Sequence, residues 1–461
     1  MDEATSQEYR TWSGSVRFHP SRHLEPANEE ELARIITSAR HDGHTVRPRG
    51  SGHSSMPLIA TEDVLVSLEA MSGLIDHDAR AGLASLGPGT TLEQAGEQLA
   101  EVGLAMENFG DVSYQTIAGA IGTGTHGTGL QFGNLSTLLA GGRMVTGTGE
   151  VMNFGADDDA SPAGADPPGG RPVGGDDGMA RAGGGVGGTE DELLRAMGVS
   201  LGTIGLMSQV TLRVTEEYDL RRLEWGAGAE WAIDHFLELS LTNRNADIYW
   251  YPRRDEVKVR ALNLPEHTPS LLPAGAPILA NETGPSHQII PTVPPLRFDE
   301  MEYLFPLEVG MDVFRAVRQR IKDRHRQHVA WRVLVRTIAA DDLMLSNSTG
   351  HDAMSIALLH NAELPEDPYF ADMEPLLLDY GGRPHWGKKH SRKAAQLAPM
   401  YPQWQHFQDI RRHHDPHGVF LNDYLRGLLE NDGQGHDGDE DDGTADDGAA
   451  DNGAANRGGG S

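Results

Sequence analysis

The chain contains no cysteine, which excludes disulfides, thiolate metal sites and cysteine nucleophiles together. Lysine is nearly absent, at five of the 38 basic residues. No run of about eighteen apolar residues, the length of a membrane-spanning helix, occurs anywhere. Met1–Arg17 lacks the apolar stretch of a secretory signal. Positive charge is scarce overall: 68 acidic residues face 38 basic ones, for a formal net charge of −30. Only ten of those acids lie in residues 430–461, so the acidity is spread along the chain. A distributed acidic surface argues against nucleic acid and anionic membranes as partners, because both repel it; peripheral membrane association stays open. The composition matches that of halophilic cytosolic proteins, with an acid-rich mesophile as the alternative, and the expectation is a soluble cytoplasmic protein.

What is present is a chain of 461 residues, long enough for two domains plus tails. Residues 1–15 read as a lead-in. Asn28 is a helix N-cap, Glu31 completes a capping box, and Leu32, Ile35 and Ile36 supply the apolar face. Strands are expected at 44–48, 64–68 and 83–86, a helix at 91–102 and a strand pair within 142–153. Residues 155–188, dominated by Gly, Asp and Pro, read as a disordered insertion. A helix at 190–197 and a strand at 208–214 follow. Beyond 216, strands at 220–225, 247–251, 256–262, 301–306, 331–338 and 354–360 accompany helices at 230–241 and 309–328. Residues 264–296 read as a proline-rich loop and 431–461 as a disordered acidic tail. The fold class expected is α+β.

Two stretches concentrate glycine: R-P-R-G-S-G-H-S at Arg47–Ser54 and G-A-I-G-T-G-T-H-G-T-G at Gly119–Gly129. Glycine lets backbone N–H groups approach a bound anion closely, and His53 is held against whatever the first loop cradles. Gly122–Gly127 also matches G-x-G-x-x-G. It comes late in the chain and precedes L-Q-F-G-N, a poor helix start, so a nicotinamide Rossmann site is disfavoured. His325/His328, His385/His390 and His413/His414/His417 follow no strong ligand spacing, and no metal is expected. Two of the five lysines stand together at Lys388-Lys389. A lysine kept where arginine is otherwise preferred points to a task for a compact point charge.

Taken in order, R-P-R-G-S-G-H-S, T-I-A-G-A-I-G-T-G-T-H-G-T-G, S-L-G-T-I-G, R-P-H-W-G-K and D-P-H-G-V-F-L-N-D-Y-L resemble the sugar-1,4-lactone oxidase and alditol oxidase group. These are flavoproteins of the vanillyl-alcohol-oxidase fold. The resemblance covers most of residues 15–430 outside the insertion and the proline-rich loop, and R-P-H-W-G-K is its most specific motif. It implies a two-subdomain, PCMH-type FAD-binding domain over 16–216, an α+β cap domain over 217–395, and a segment at 396–430 that returns to the FAD domain. Pro48, Arg49, Gly50, Ser51, Gly52, His53 and Ser54 would wrap the pyrophosphate of FAD. Thr116, Gly119, Thr123, Gly124, Thr125 and His126 would form a second contact segment, and Ile204, Gly205 and Leu206 a third. His53 would carry the flavin covalently on its 8α-methyl; the alternative is a histidine that only hydrogen-bonds a phosphate. His126 is read as structural or flavin-side rather than as a base.

The same resemblance places Lys388 at the substrate near flavin N5, with Arg336 on a cap strand as its partner in holding the substrate oxygen. Relatives carry a glutamate two residues before that arginine, where this chain has Leu334. Asp111, at a position where alditol-oxidising relatives have serine, is the candidate replacement acid, against a plain turn residue. Ala357 and Leu359 stand where polyol oxidases place polar side chains, which favours a lactone or other cyclic sugar. Gly110 leaves room for dioxygen at the flavin edge, favouring oxidase over dehydrogenase. The implied activity is FAD-dependent oxidation of a CH–OH group in a small carbohydrate of the D-arabinono-1,4-lactone type. Hydride passes to flavin N5, and electrons then pass to dioxygen or another acceptor. A 2-hydroxy-acid dehydrogenase of the same fold and a catalytically silent sugar- or flavin-binding protein are the other readings.

Overall fold

Asn28 opens the first long helix, Glu29–His41, by accepting the Glu31 backbone N–H at 2.9 Å. The Glu31 carboxylate reaches one residue further back than a strict capping box, to Ala27 N. In this computed structural model the described residues are 8–155, 189–292, 296–329, 331–365 and 368–430. The acidic tail expected at 431–461 and all but the first residue of the insertion expected at 155–188 lie outside them. Leu32 and Ile36 bury their side chains against Val46, Val64 and Val66. Those valines belong to a three-stranded parallel sheet ordered Arg22–Leu24, Val64–Ser67, Val46–Arg49. The loop 50–54 leaves the end of its edge strand.

A second, antiparallel sheet of five strands runs Val151–Gly155, Leu139–Thr146, Gly205–Arg213, Leu83–Leu86, Leu74–Asp78. The helix Leu92–Glu101, with a full capping box between Thr91 and Gln94, packs its buried face beside this sheet. The glycine-rich run does not begin as a loop. Thr116 N-caps a six-residue helix, Ile117–Gly122, and the irregular segment starts only at Thr123. Helices Trp404–His414 and Asp423–Leu429 share one apolar core with this sheet. Asn422 ties the second of them down by donating to the carbonyls of Pro57 and Ala60.

Residues 219–384 build an eight-stranded antiparallel sheet. Its order is Ile278–Pro285, Asp219–Gly228, Glu256–Asn263, Asn245–Tyr251, Val333–Ile338, Ala353–Asn361, Phe298–Pro306, Arg383–Pro384. One face carries the helices Ala229–Thr242, Leu307–Arg320 and Tyr369–Asp379 over a core that includes Trp225, Trp250 and Phe314. The other face looks towards the first domain. The strand Ile278–Pro285 corrects the loop expected over 264–296: it pairs with Asp219–Gly228 in the register Leu223↔Asn281. It is an edge strand with mostly exposed side chains, so no apolar alternation marked it. The helix expected at 309–328 stops being α-helical at Arg320 and continues as a π turn, Ile321–His325.

Candidate active site

A groove crosses the first domain. Its walls come from Pro48–Ser54, Pro88–Gly89, the Thr116–Thr123 helix and Ser200–Met207. Arg47, just before the first of these segments, ties it to the last: its buried guanidinium donates to Leu201 O and Gly202 O, and also to Leu58 O and Phe420 O. Gly52 adopts φ +65°, which side-chain-bearing residues rarely take. A Cβ on Gly122 would meet nothing within 4 Å, as befits a wall fronting an open channel. Of the expected cofactor residues, Pro48–Ser54, Thr116, Gly119, Thr123, Gly205 and Leu206 line the groove. Thr125 and His126 line the adjoining pocket instead. Gly124 and Ile204 line neither: Gly124 turns the chain at φ +69° against Val199, and Ile204 is fully buried in the apolar core.

At the inner end of the groove stands His53. Trp12, Tyr114 and Phe298 pack edgewise or tilted around it, and Tyr114 Oη lies 3.2 Å from its Nδ1. Desolvation pushes its pKa down to about 3, with the Lys388 charge adding to the effect, so the ring is neutral over the working range. His53, Ser54, Gln115 and Thr123 line both the groove and a second, polar pocket. A ligand in the groove therefore meets one in the pocket at His53.

The floor of the polar pocket is the inner face of the eight-stranded sheet. Successive residues of a strand alternate faces, so Arg332, Leu334 and Arg336 share this face and all line the pocket. No acid precedes Arg336, yet it has one: its Nη2 donates to Glu302 Oε1 at 2.5 Å. Glu302 comes from the strand Phe298–Pro306, separated from that of Arg336 by Ala353–Asn361. The two meet across Ser355 and Ala357, the small residues opposite them in register. Lys388 is ion-paired with Glu300, two residues earlier on the same strand. Burial opposes charge on Glu302, but Arg336, then His126 and His385, hold its carboxyl well below the usual range.

Two histidines complete the pocket. His126 Nε2 is 3.2 Å from Glu302 Oε1, and its Nδ1 is 2.9 Å from Gly127 O. His385 Nδ1 accepts from Gly387 N–H at 3.1 Å, and desolvation holds this ring well below the normal pKa. One ligand atom each from His126, Glu302 and His385 lies within 4.8 Å of the others. The guanidinium of Arg336 already takes the carboxylate, which makes this an arginine site and a poor cation site. Sequence reading missed Glu300, Glu302, Arg332 and His385. The signal was present for three of them: carboxylates at alternate positions of F-D-E-M-E-Y, and the histidine inside R-P-H-W-G-K.

Asp111 lines the pocket, but its carboxylate is engaged. Oδ1 accepts from Arg260 Nη2 at 2.7 Å and Oδ2 from Tyr249 Oη at 3.1 Å. Arg260 also binds Asp247, and it keeps Asp111 firmly anionic despite burial. Gly110, in turn, packs against Thr125: a Cβ there would stand 3.0 Å from Thr125 Cγ2.

A glycine-lined groove that meets a polar pocket on the face of an antiparallel sheet is the arrangement expected of an FAD-linked oxidoreductase. The sequence comparisons agree. Residues 20–155 match an FAD-binding domain family, and residues 274–428 match the D-arabinono-1,4-lactone oxidase family. L-gulono-1,4-lactone dehydrogenase of Mycobacterium tuberculosis is 31% identical over 91% of this chain and 99% of its own. Alditol oxidase of a Streptomyces species is 26% identical over 91% and 98%. L-gulonolactone oxidase of Scyliorhinus torazame is 23% identical over 92% and 99%. Cholesterol oxidase from B. sterolicum shares the fold, with a TM-score of 0.75 at 14% identity over 92% of this chain and 97% of that one. The chain belongs to the sugar-1,4-lactone oxidase family, and its cofactor is FAD.

Proposed function

We propose that the protein oxidises a secondary alcohol of a sugar lactone or closely related cyclic carbohydrate. The observation that carries this reading is the Arg336–Glu302 pair beside Lys388–Glu300 in the pocket that shares His53 with the flavin groove. Bound FAD supplies the two-electron acceptor for the hydride. Lys388 and Arg336 bind the substrate oxygen and stabilise charge that develops on it as the carbinol C–H bond breaks. Leu334 and Leu359 give the floor an apolar patch suited to the C–H face of a sugar ring. Glu302 supplies the acid that Leu334 does not, which removes the main support for a silent binding protein. Asp111, saturated by Arg260 and Tyr249, ties the flavin domain to the cap instead of taking a proton.

His53 is the proposed covalent attachment point: neutral, nucleophilic and held by packed aromatic rings. The thiol-free, acidic chain is proposed to work in a high-salt cytoplasm, and no described helix is long and apolar enough to cross a membrane. The test is anaerobic flavin reduction with a panel of aldonolactones, alditols and 2-hydroxy acids in concentrated salt. Aldonolactones bleach the flavin fastest if the reading holds; bleaching by hydroxy acids alone overturns it. Acid-precipitated protein comes down yellow if the His53 bond exists and colourless if it does not. Peroxide formed on aerobic turnover identifies dioxygen as acceptor. Its absence identifies a dehydrogenase, in keeping with a Gly110 that is packed rather than open.

A further inference from the structure

The reaction must deliver a hydroxyl proton somewhere, and most basic groups around the pocket are already committed. Asp111 is saturated, Glu300 is paired with Lys388, and Glu302 Oε1 is held by Arg336. His385 uses Nδ1 to accept from Gly387 N–H, so its proton sits on Nε2 and it faces the pocket as a donor. His126 is the reverse. Its Nδ1 is 2.9 Å from a carbonyl oxygen, which can only accept, so Nδ1 carries the proton and Nε2 the lone pair. That Nε2 is buried and has no hydrogen-bond partner. Glu302 Oε1 lies 3.2 Å away, an ion-pair contact that falls short of hydrogen-bond geometry. The residue is 4% exposed, lines the pocket, and has its backbone carbonyl clamped by Arg336 Nη1 at 3.1 Å.

We propose that His126 is the general base of the oxidation, with Glu302 as the positioning residue that stabilises the imidazolium it becomes. This rests on the reading of the pocket as a carbinol-oxidising site. In the step, the C–H electron pair leaves as hydride for the flavin and the O–H proton passes to His126 Nε2. The carbon–oxygen bond becomes a carbonyl, and the imidazolium later returns its proton to solvent. The groups facing His126 set its charge. Facing it are Glu302 on strand Phe298–Pro306, Arg336 on Val333–Ile338 and the His385 ring, with Lys388 lining the same pocket. Because Arg336 keeps Glu302 ionised, the carboxylate is available as a counter-charge at the moment the proton arrives.

The experiment is stopped-flow anaerobic flavin reduction against pH, on holoenzyme, with whichever lactone or alditol reduces the wild type. The wild-type rate should rise with pH through one ionisation and then level. His126→Gln, with flavin absorbance showing that FAD is retained, should be slower by at least about 100-fold and should lose that ionisation. His126→Ala should be accelerated by added imidazole. Glu302→Gln should move the ionisation to lower pH, because the imidazolium loses its counter-charge. The inference is overturned if His126→Gln keeps the wild-type pH profile or reduces within threefold of wild-type rate. If that variant fails to hold FAD, an unmoved ionisation in Glu302→Gln overturns it alone. A wild type that no carbohydrate reduces sinks the parent reading instead, so the two failures are distinguishable.

Discussion

A carboxylate can be supplied from an unexpected place because side chains, not sequence intervals, meet in a pocket. Glu302 reaches Arg336 from a strand that is not its neighbour, and that pairing was invisible from the V-L-V-R segment alone. Buried histidines show the same dependence on surroundings. His390 has Nδ1 bound to Arg392 N–H and a buried Nε2 with no partner. Desolvation takes its pKa from 6.5 down to about 4, outweighing the Glu374 charge. The unfolded chain therefore binds the proton below about pH 6.5 while the folded one refuses it until about 4. Stability contributed by neutral His390 is complete above the unfolded value and is lost as pH falls through this window. Between pH 7 and 4.5 that amounts to about 2–3 kcal/mol. Urea unfolding at the two pH values should show His390→Gln losing that much less stability than wild type. Equal losses would mean the ring gains a proton without penalty. Lys388, Arg336 and the His53 loop were legible because their residue types and order are distinctive. The contacts that place Glu302, His126 and Asp111 in the pocket come from partners 34 to 210 residues away in the chain, which no local pattern carries.

At the scale of elements, the site depends on the middle strand Ala353–Asn361 being narrow where it matters. Ser355 and Ala357 are fully buried, and their small side chains let Arg336 and Glu302 touch over them. A large residue at either place would part the pair. The second device is the lock between the two domains. Asp111, on the flavin-domain loop, accepts from Arg260 and Tyr249 on cap strands, and its carbonyl accepts from Thr292 N–H at 2.7 Å. Removing the Asp111 charge leaves Arg260 shared with Asp247 alone. Asp111→Asn should therefore cost on the order of 3 kcal/mol in stability while reducing flavin at a rate within a few-fold of wild type. Calorimetry and stopped-flow on one preparation check both halves; a 100-fold rate loss at unchanged stability would return Asp111 to the role of base. Most of these strands and helices were legible from apolar periodicity, since Leu83–Leu86 and Glu190–Met197 have the expected bounds. Those missed share a reason. Ile278–Pro285 is exposed at an edge, and four of the six residues of Ile117–Gly122 are Ala or Gly, so neither shows the alternation or amphipathy that burial imposes.

For the whole molecule, the governing quantity is charge. With 68 acids against 38 bases, the folded state compresses a net −30 into one particle and repels itself. Three of the five lysines are each held by a carboxylate, Lys258 by Glu224, Lys322 by Asp255 and Lys388 by Glu300. Self-repulsion between exposed carboxylates falls as salt shortens the Debye length from about 10 Å at 0.1 M to about 3 Å at 1 M. The Arg336–Glu302 pair at the site is screened far less because both side chains are buried. Potassium chloride should accordingly raise the thermal midpoint by several degrees between 0.1 and 1 M and by little beyond it, if screening is the cause. Sucrose at matched osmolality should not reproduce the steep early rise. The pH profile of flavin reduction should move little over the same salt range, because the charges that set it are shielded by burial. A thermal midpoint indifferent to salt would mean that the acidic surface carries no stability cost, and the high-salt setting proposed for this chain would fall with it.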